Sequence, residues 1–143
     1  MSKGNTFETD LLALIFNATA IANVADNAAT APLTNIAIAL HTADPGEGGT
    51  MATSETVYTG YARISVARTT GGWTVSGGSV SPVANVDFGE CTAAPGAAIT
   101  HFSVGPTGGG ATKIFYSGTV TPNITMAVGV IPRLKTTSTI TED

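Results

Sequence analysis

Asn35-Ile36-Ala37-Ile38-Ala39-Leu40-His41, with the Asp44-Pro45-Gly46 that halts it, decides the fold of this chain. Ile36, Ile38 and Leu40 alternate with Ala37, Ala39 and His41, the two-residue period of a strand. The second set is small as well, so both faces are expected to be covered, as in a central strand. Asp44 accepts hydrogen bonds from the amides that follow, Pro45 presets the first turn angle, and Gly46 takes the conformation other residues avoid. Residues 47–56 carry a Gly doublet and little apolar content, which predicts an exposed loop.

Strand signals continue downstream. Residues 58–68 read as a strand, Thr69-Thr70-Gly71-Gly72 as a hairpin turn into Trp73-Thr74-Val75, and Gly77-Gly78 as a break. Residues 83–88, 99–104, 113–120 and 124–130 read as further strands, with a Gly-rich loop over 105–112. Pro122 and Pro132 bound the 124–130 run, where Ile124, Met126, Val128 and Val130 share one face. The Thr-rich tail 136–143 reads as an extended or disordered arm.

Upstream the period changes. Asn5-Thr6-Phe7-Glu8 has the form of a capping box, and Phe7, Leu11, Leu14 and Ile15 follow at helical spacing. Glu8 and Asp10 sit near the positive end of the helix dipole. Leu12 and Phe16 widen the apolar stripe, so the helix covers one end of a sheet or packs on another subunit. Residues 17–34 form an Ala- and Asn-rich connector with a short helical piece, which Pro32 limits.

Short strands at even spacing, with no βαβ alternation after residue 35, predict an all-β fold. The expected form is an antiparallel, jelly-roll-like β-sandwich with a short N-terminal α-helix. One domain spans 1–143: helix and connector over 5–34, sandwich over 35–134 and polar C-terminal arm over 135–143.

Composition bears on partners. Of 143 residues, 43% are hydrophobic and only 11% charged, less than half the usual charged share of roughly 25%. Hydroxyls, amides and backbone must supply the solvation, and such a surface resists association poorly. A homo-oligomer packed among neighbours is expected. The formal charge of −4, with Lys3, Arg63, Arg68, Lys113, Arg133 and Lys135 scattered, argues against direct nucleic-acid binding. No apolar run is long enough for a membrane span, and the N-terminus lacks a signal-peptide pattern, so cytosolic synthesis is expected. Cys91, the only Cys, cannot close an internal disulfide.

Equipment for chemistry is sparse. His41 and His101 are the only imidazoles. His41-Thr42-Ala43-Asp44 is the best local candidate, since an Asp three residues after a His can orient it as a base; the simpler reading has Asp44 cap its own turn while His41 bonds backbone. Two such ligands are too few for a specific metal site. Gly105-Pro106-Thr107-Gly108-Gly109-Gly110 lacks the Lys-Ser/Thr ending of a phosphate loop. Trp73, Tyr58, Tyr61 and Tyr116 have the flat rings a sugar platform needs, but Trp73 beside a Gly-Gly turn also suits packing over a sheet edge. Arg63 and Arg68 differ in strand parity and make no anion clamp. The expectation is no catalytic, cofactor-binding or metal residues, no cofactor and no enzyme.

The motifs Leu11-Leu12, Leu40-His41-Thr42-Ala43-Asp44-Pro45-Gly46, Gly60-Tyr61-Ala62-Arg63, Val86-Asp87-Phe88, Ile99-Thr100-His101-Phe102 and Tyr116-Ser117-Gly118 occur in the order seen in small structural proteins of tailed bacteriophages. The chain resembles that family, often labelled tail-fibre-like, from about residue 7 to 134. The resemblance implies a virion structural protein whose partners are the major capsid protein or other virion subunits. Without fibre-type repeats or heptads, a compact chain of this length suits a capsid decoration (cement) protein that stabilises the head, with both termini as clamping arms. The alternative is a tail or fibre-associated component that binds a host surface glycan.

Overall fold

The computed structural model describes residues 5–21, 33–107 and 113–142. Among the described residues, one helix, α1 (Asn5–Asn17), precedes nine strands: β1 (Asn35–His41), β2 (Ile64–Ala67), β3 (Trp73–Ser76), β4 (Ser79–Pro82), β5 (Val86–Asp87), β6 (Ile99–Pro106), β7 (Tyr116–Ile124), β8 (Arg133–Leu134) and β9 (Ile140–Thr141). They form sheets ordered β2-β1-β6-β7, β3-β4-β9 and β5-β8. The chain is thus mostly β, with antiparallel sheets and one short N-terminal helix, as the periodicity predicts. The backbone divides into two compact units. One comprises Met1–Asn35, Val66–Val86 and Lys135–Asp143; the other comprises Ile36–Ser65 and Asp87–Leu134.

In the first unit, α1 lies on the hairpin of β3 and β4. Leu12 and Phe16 are fully buried, and the Phe16 ring meets Trp73 edge-on at 4.8 Å between centroids. Each such side chain contributes about 1.5–3 kcal/mol by leaving water. The helix ends with Ala18 in the left-handed region, at φ 55°, and with the Thr19 amide reaching back six positions to donate to the Ala13 carbonyl at 3.1 Å. Arg68 donates to the Leu14 and Ile15 carbonyls, placing a cation on the helix's negative end. The capping box expected at Asn5 rests on side chains outside those described, and the helical piece of the connector falls largely on residues outside them.

Several expected strands are redrawn. Gly77 and Gly78 do not break the chain: both have positive φ and form the two-residue turn between β3 and β4, pairing Ser76 with Ser79. That turn adds β4, which the polar Ser79-Val80-Ser81 hides from a hydrophobicity pass. The turn at Thr69–Gly72 exists, but it joins β2 and β3, which belong to different sheets. The tail is no free arm, since Ile140 and Thr141 pair with Val80 and Ser79.

In the second unit, β1 is the central strand expected, buried on both faces from Ile36 to His41. It pairs antiparallel with β6, Ile36 opposite Pro106 and His41 opposite His101. Its Ala37–Ala39 side packs on Met51, with Ile114 against the cluster. The loop predicted to be exposed over 47–56 therefore folds back as cover, with Met51 fully buried and Thr56 nearly so. The 58–68 strand shrinks to β2 because Gly60, at φ 104°, turns the chain where it crosses residues 89–92. Residues 83–88 contribute only β5. β7 starts later than expected and runs to Ile124, which pairs with Ile99. Beyond it the predicted 124–130 strand is absent. Gly129, at φ 88°, sits in a turn closed by the Val130 amide on the Ala127 carbonyl, leaving Met126 buried and Val128 exposed.

Candidate functional site

A set of polar side chains of the second unit, His41, Ser103, Glu55, Tyr61 and Arg63, converges at the end of β1. His41 is fully buried, with Nδ1 at 2.8 Å from the Thr53 carbonyl and Nε2 at 2.7 Å from Ser103 Oγ. A carbonyl only accepts, so Nδ1 carries the proton and Nε2 accepts from the Ser103 hydroxyl. Burial holds the imidazole below its ordinary pKa, partly offset by the Thr53 carbonyl and by Glu55. Ser103, Nε2, Nδ1 and a fixed acceptor are the parts of a nucleophile activated by an oriented base. Yet Ser103, like His41, has no solvent-exposed surface. A nucleophile must reach its substrate, so this arrangement is a sealed polar tie between β6, β1 and the 47–56 loop.

Alongside it lies a second network. Glu55 bridges to His41 through backbone, while its carboxylate takes two hydrogen bonds from Arg63, at 2.7 and 2.6 Å, and one from the Tyr61 hydroxyl at 2.8 Å. The Leu40 amide donates to that same hydroxyl at 3.1 Å. Burial by itself would raise the Glu55 pKa, but Arg63 and Tyr61 outweigh it and hold the carboxyl below the usual range. Glu55 in turn raises Arg63, while burial and then Glu55 push Tyr61 up. A paired carboxylate, a permanent cation and a phenol this hard to ionise hold geometry; none is poised to exchange a proton near neutral pH.

The remaining sequence candidates are dispersed. Asp44 accepts from the Gly46 amide at 2.9 Å, so it caps its turn and the Thr53 carbonyl, not Asp44, orients His41. Arg63 and Arg68 are separately engaged. Trp73 and Tyr58 are buried, and Tyr58 donates to the Gly89 carbonyl at 2.8 Å, so the four rings do not make an open sugar platform. Cys91 is a buried free thiol. Residues 108–110 of the Gly-rich loop lie outside the described residues. Among the described residues no group of three His, Cys, Asp or Glu gathers in metal-binding proximity, and no helix is long and apolar enough to cross a membrane.

Sequence reasoning missed Ser103 and the Glu55–Tyr61–Arg63 network. Ser103 carries no motif, but its position two residues from His101 puts it on the His41 face once β1 and β6 pair. Tyr61 and Arg63, spaced by two, offered a weak signal that both address one partner.

Comparison with curated proteins returns no match. A family model described as podophage GP4 fiber I protein gp80 matches residues 4–141, nearly the whole chain and in line with the resemblance read from its motifs. With a β-rich body whose best-arranged reactive groups are sealed inside it, the chain belongs to the family of the podophage GP4 fiber I protein gp80, a small, tail-fibre-like phage structural protein.

Proposed function

We propose that this protein is a fibre component of a phage virion, a non-enzymatic building block that works in a homo-oligomer against other virion subunits. The family match over 4–141 carries the reading. It favours the fibre over the capsid-decoration role that chain length and missing repeats had put first. Burial of His41 and Ser103 supports a structural role, and the low charge supports close packing against neighbours. Glycan contact through Trp73 and Tyr58 loses its support, because those rings are inside.

The test is copy number and position in purified particles. Quantitative mass spectrometry and imaging of virions are expected to find a modest number of copies at the tail. Hundreds of copies spread over the head, with earlier genome loss on mild heating when the protein is missing, would overturn the fibre reading in favour of decoration.

A further inference from the structure

The 44–56 segment is fastened to β1 at one end by a small set of bonds. The Thr42 amide donates to the Ser54 carbonyl at 2.8 Å and the Thr56 amide to the Leu40 carbonyl at 3.0 Å. Between them His41 Nδ1 holds the Thr53 carbonyl, and Glu55 is gripped by Arg63 and Tyr61. Inside the segment Met51 is the cover over Ala37 and Ala39, while Ala52, Thr53 and Ser54 around it are exposed. An apolar plug on a largely solvated segment opens far more readily than the strands beneath it.

We propose that residues 44–56 form a strap latched through His41, which lets go of β1 on acidification and uncovers Met51 and the Ala37–Ala39 strip. The neutral ring satisfies both neighbours, donating to Thr53 and accepting from Ser103. A second proton, on Nε2, forces the Ser103 hydroxyl to turn its own proton away and places a charge where no solvent reaches.

The charged and titratable groups facing the ring do not absorb that charge. Arg63 and His101, the latter directly opposite on β6, oppose it. Glu55 favours it, but its oxygens are already engaged by Arg63 and Tyr61, and the Tyr61 phenol stays neutral. Releasing the strap hydrates the ring at the expense of the bonds at its end, several of them part-buried, and of the burial of Met51. The device is independent of whether the protein sits on tail or head.

Oxidation of Met51 in the full chain by dilute peroxide, read by peptide mass spectrometry, tests this, with Met126 as the buried internal reference. One proton taken up on opening raises the open population by up to about tenfold per pH unit below 6.5. Met51 oxidation is therefore expected to rise about tenfold or more from pH 7.5 to 4.5 while Met126 changes little, and His41→Gln is expected to flatten the rise. In the wild type, the rise is also expected to share its midpoint with the His41 ring signals in an NMR titration, which decides the matter if His41→Gln does not fold. A flat Met51 profile, a parallel rise at Met126, a rise that persists in folded His41→Gln, or a midpoint that follows His101 instead would overturn the proposal.

Discussion

Replacing Gly60 with Ala tests the tightest piece of packing in the second unit. A Cβ at Gly60 would stand 2.1 Å from the Glu90 carbonyl oxygen, and one at Gly89 would stand 1.9 Å from the Gly60 carbonyl oxygen. Two backbones therefore cross with no room for a side chain on either. The crossing is pinned by Thr59 and Ala93, by Thr92 and Thr59, and by the Tyr58 hydroxyl on Gly89. Three variants separate the contributions. Gly46→Ala carries only a φ penalty, since Gly46 sits at φ 70° with nothing within 4 Å; the left-handed cost of about 1–2 kcal/mol is reduced by the stiffer unfolded chain to about 0.5–1 kcal/mol net. Gly89→Ala carries only the steric cost, about 1–3 kcal/mol, because backbone atoms rather than a flexible side chain must move. Gly60→Ala, at φ 104°, carries both, about 2–4 kcal/mol. Urea unfolding followed by far-ultraviolet circular dichroism reads the series, and a loss of 3 kcal/mol lowers the midpoint by roughly 1–3 M. If Gly60→Ala or Gly89→Ala is as mild as Gly46→Ala, the crossing yields easily and the packing argument fails.

Ala18→Gly is expected to stabilise the chain by about 1 kcal/mol, seen as a higher urea midpoint, because it relieves the left-handed residue that ends α1. Met51→Ala is expected to cost about 2–4 kcal/mol in the same assay, since Ala37 and Ala39 are too short to fill the cavity and only the partly buried Ile114 lies beside it. Glu55→Gln is expected to cost about 1–2 kcal/mol at pH 7, a modest figure because the Arg63 and Glu55 side chains are 26% and 16% exposed. Stability is also expected to fall with pH in two stages. His41, depressed in the fold, begins to withdraw support below its unfolded value of 6.5, and Glu55, likewise depressed, does so below 4.5; both contributions are fully present above those values. Thermal melts from pH 8 to 3 check this; Glu55→Gln is expected to shrink the lower stage, leaving the share of Asp87, whose carboxyl Arg133 also holds down, and to deepen the upper one, because Glu55 favours charge on His41.

Sequence periodicity was legible wherever a segment's neighbours agreed with its own pattern. β1 could be read with both faces covered because Ala37 and Ala39 left room for something on the second side. What filled that room, Met51, was hidden in a segment whose Gly, Thr and Ser content looked like an exposed loop. The clean alternation from Ile124 to Val130 misled for a related reason: strand register is a property of pairs, and the partner of β7 was already used up at Ile124. Gly77-Gly78 looked like a break because a two-residue turn and a chain terminator share one composition. The polar tie at His41 was half visible, since Asp44 was recognisable as a turn cap. Ser103 and Thr53 reach the ring only through the pairing of β1 with β6 and the return of the strap, neither of which leaves a linear mark.

The three segments of the first unit come from widely separated parts of the sequence, and this orders its biosynthesis. On the ribosome, the segments of the second unit have all emerged once Leu134 clears the exit tunnel. The first unit must wait for residues 140–141, because the strand they form completes the sheet over Val80. Until then its earliest-made part, the helix, has no finished sheet to cover. A premature stop just after Leu134 would therefore spare the segments of the later-starting unit while leaving the earlier-starting one a strand short, and neither unit can be produced as a single uninterrupted fragment.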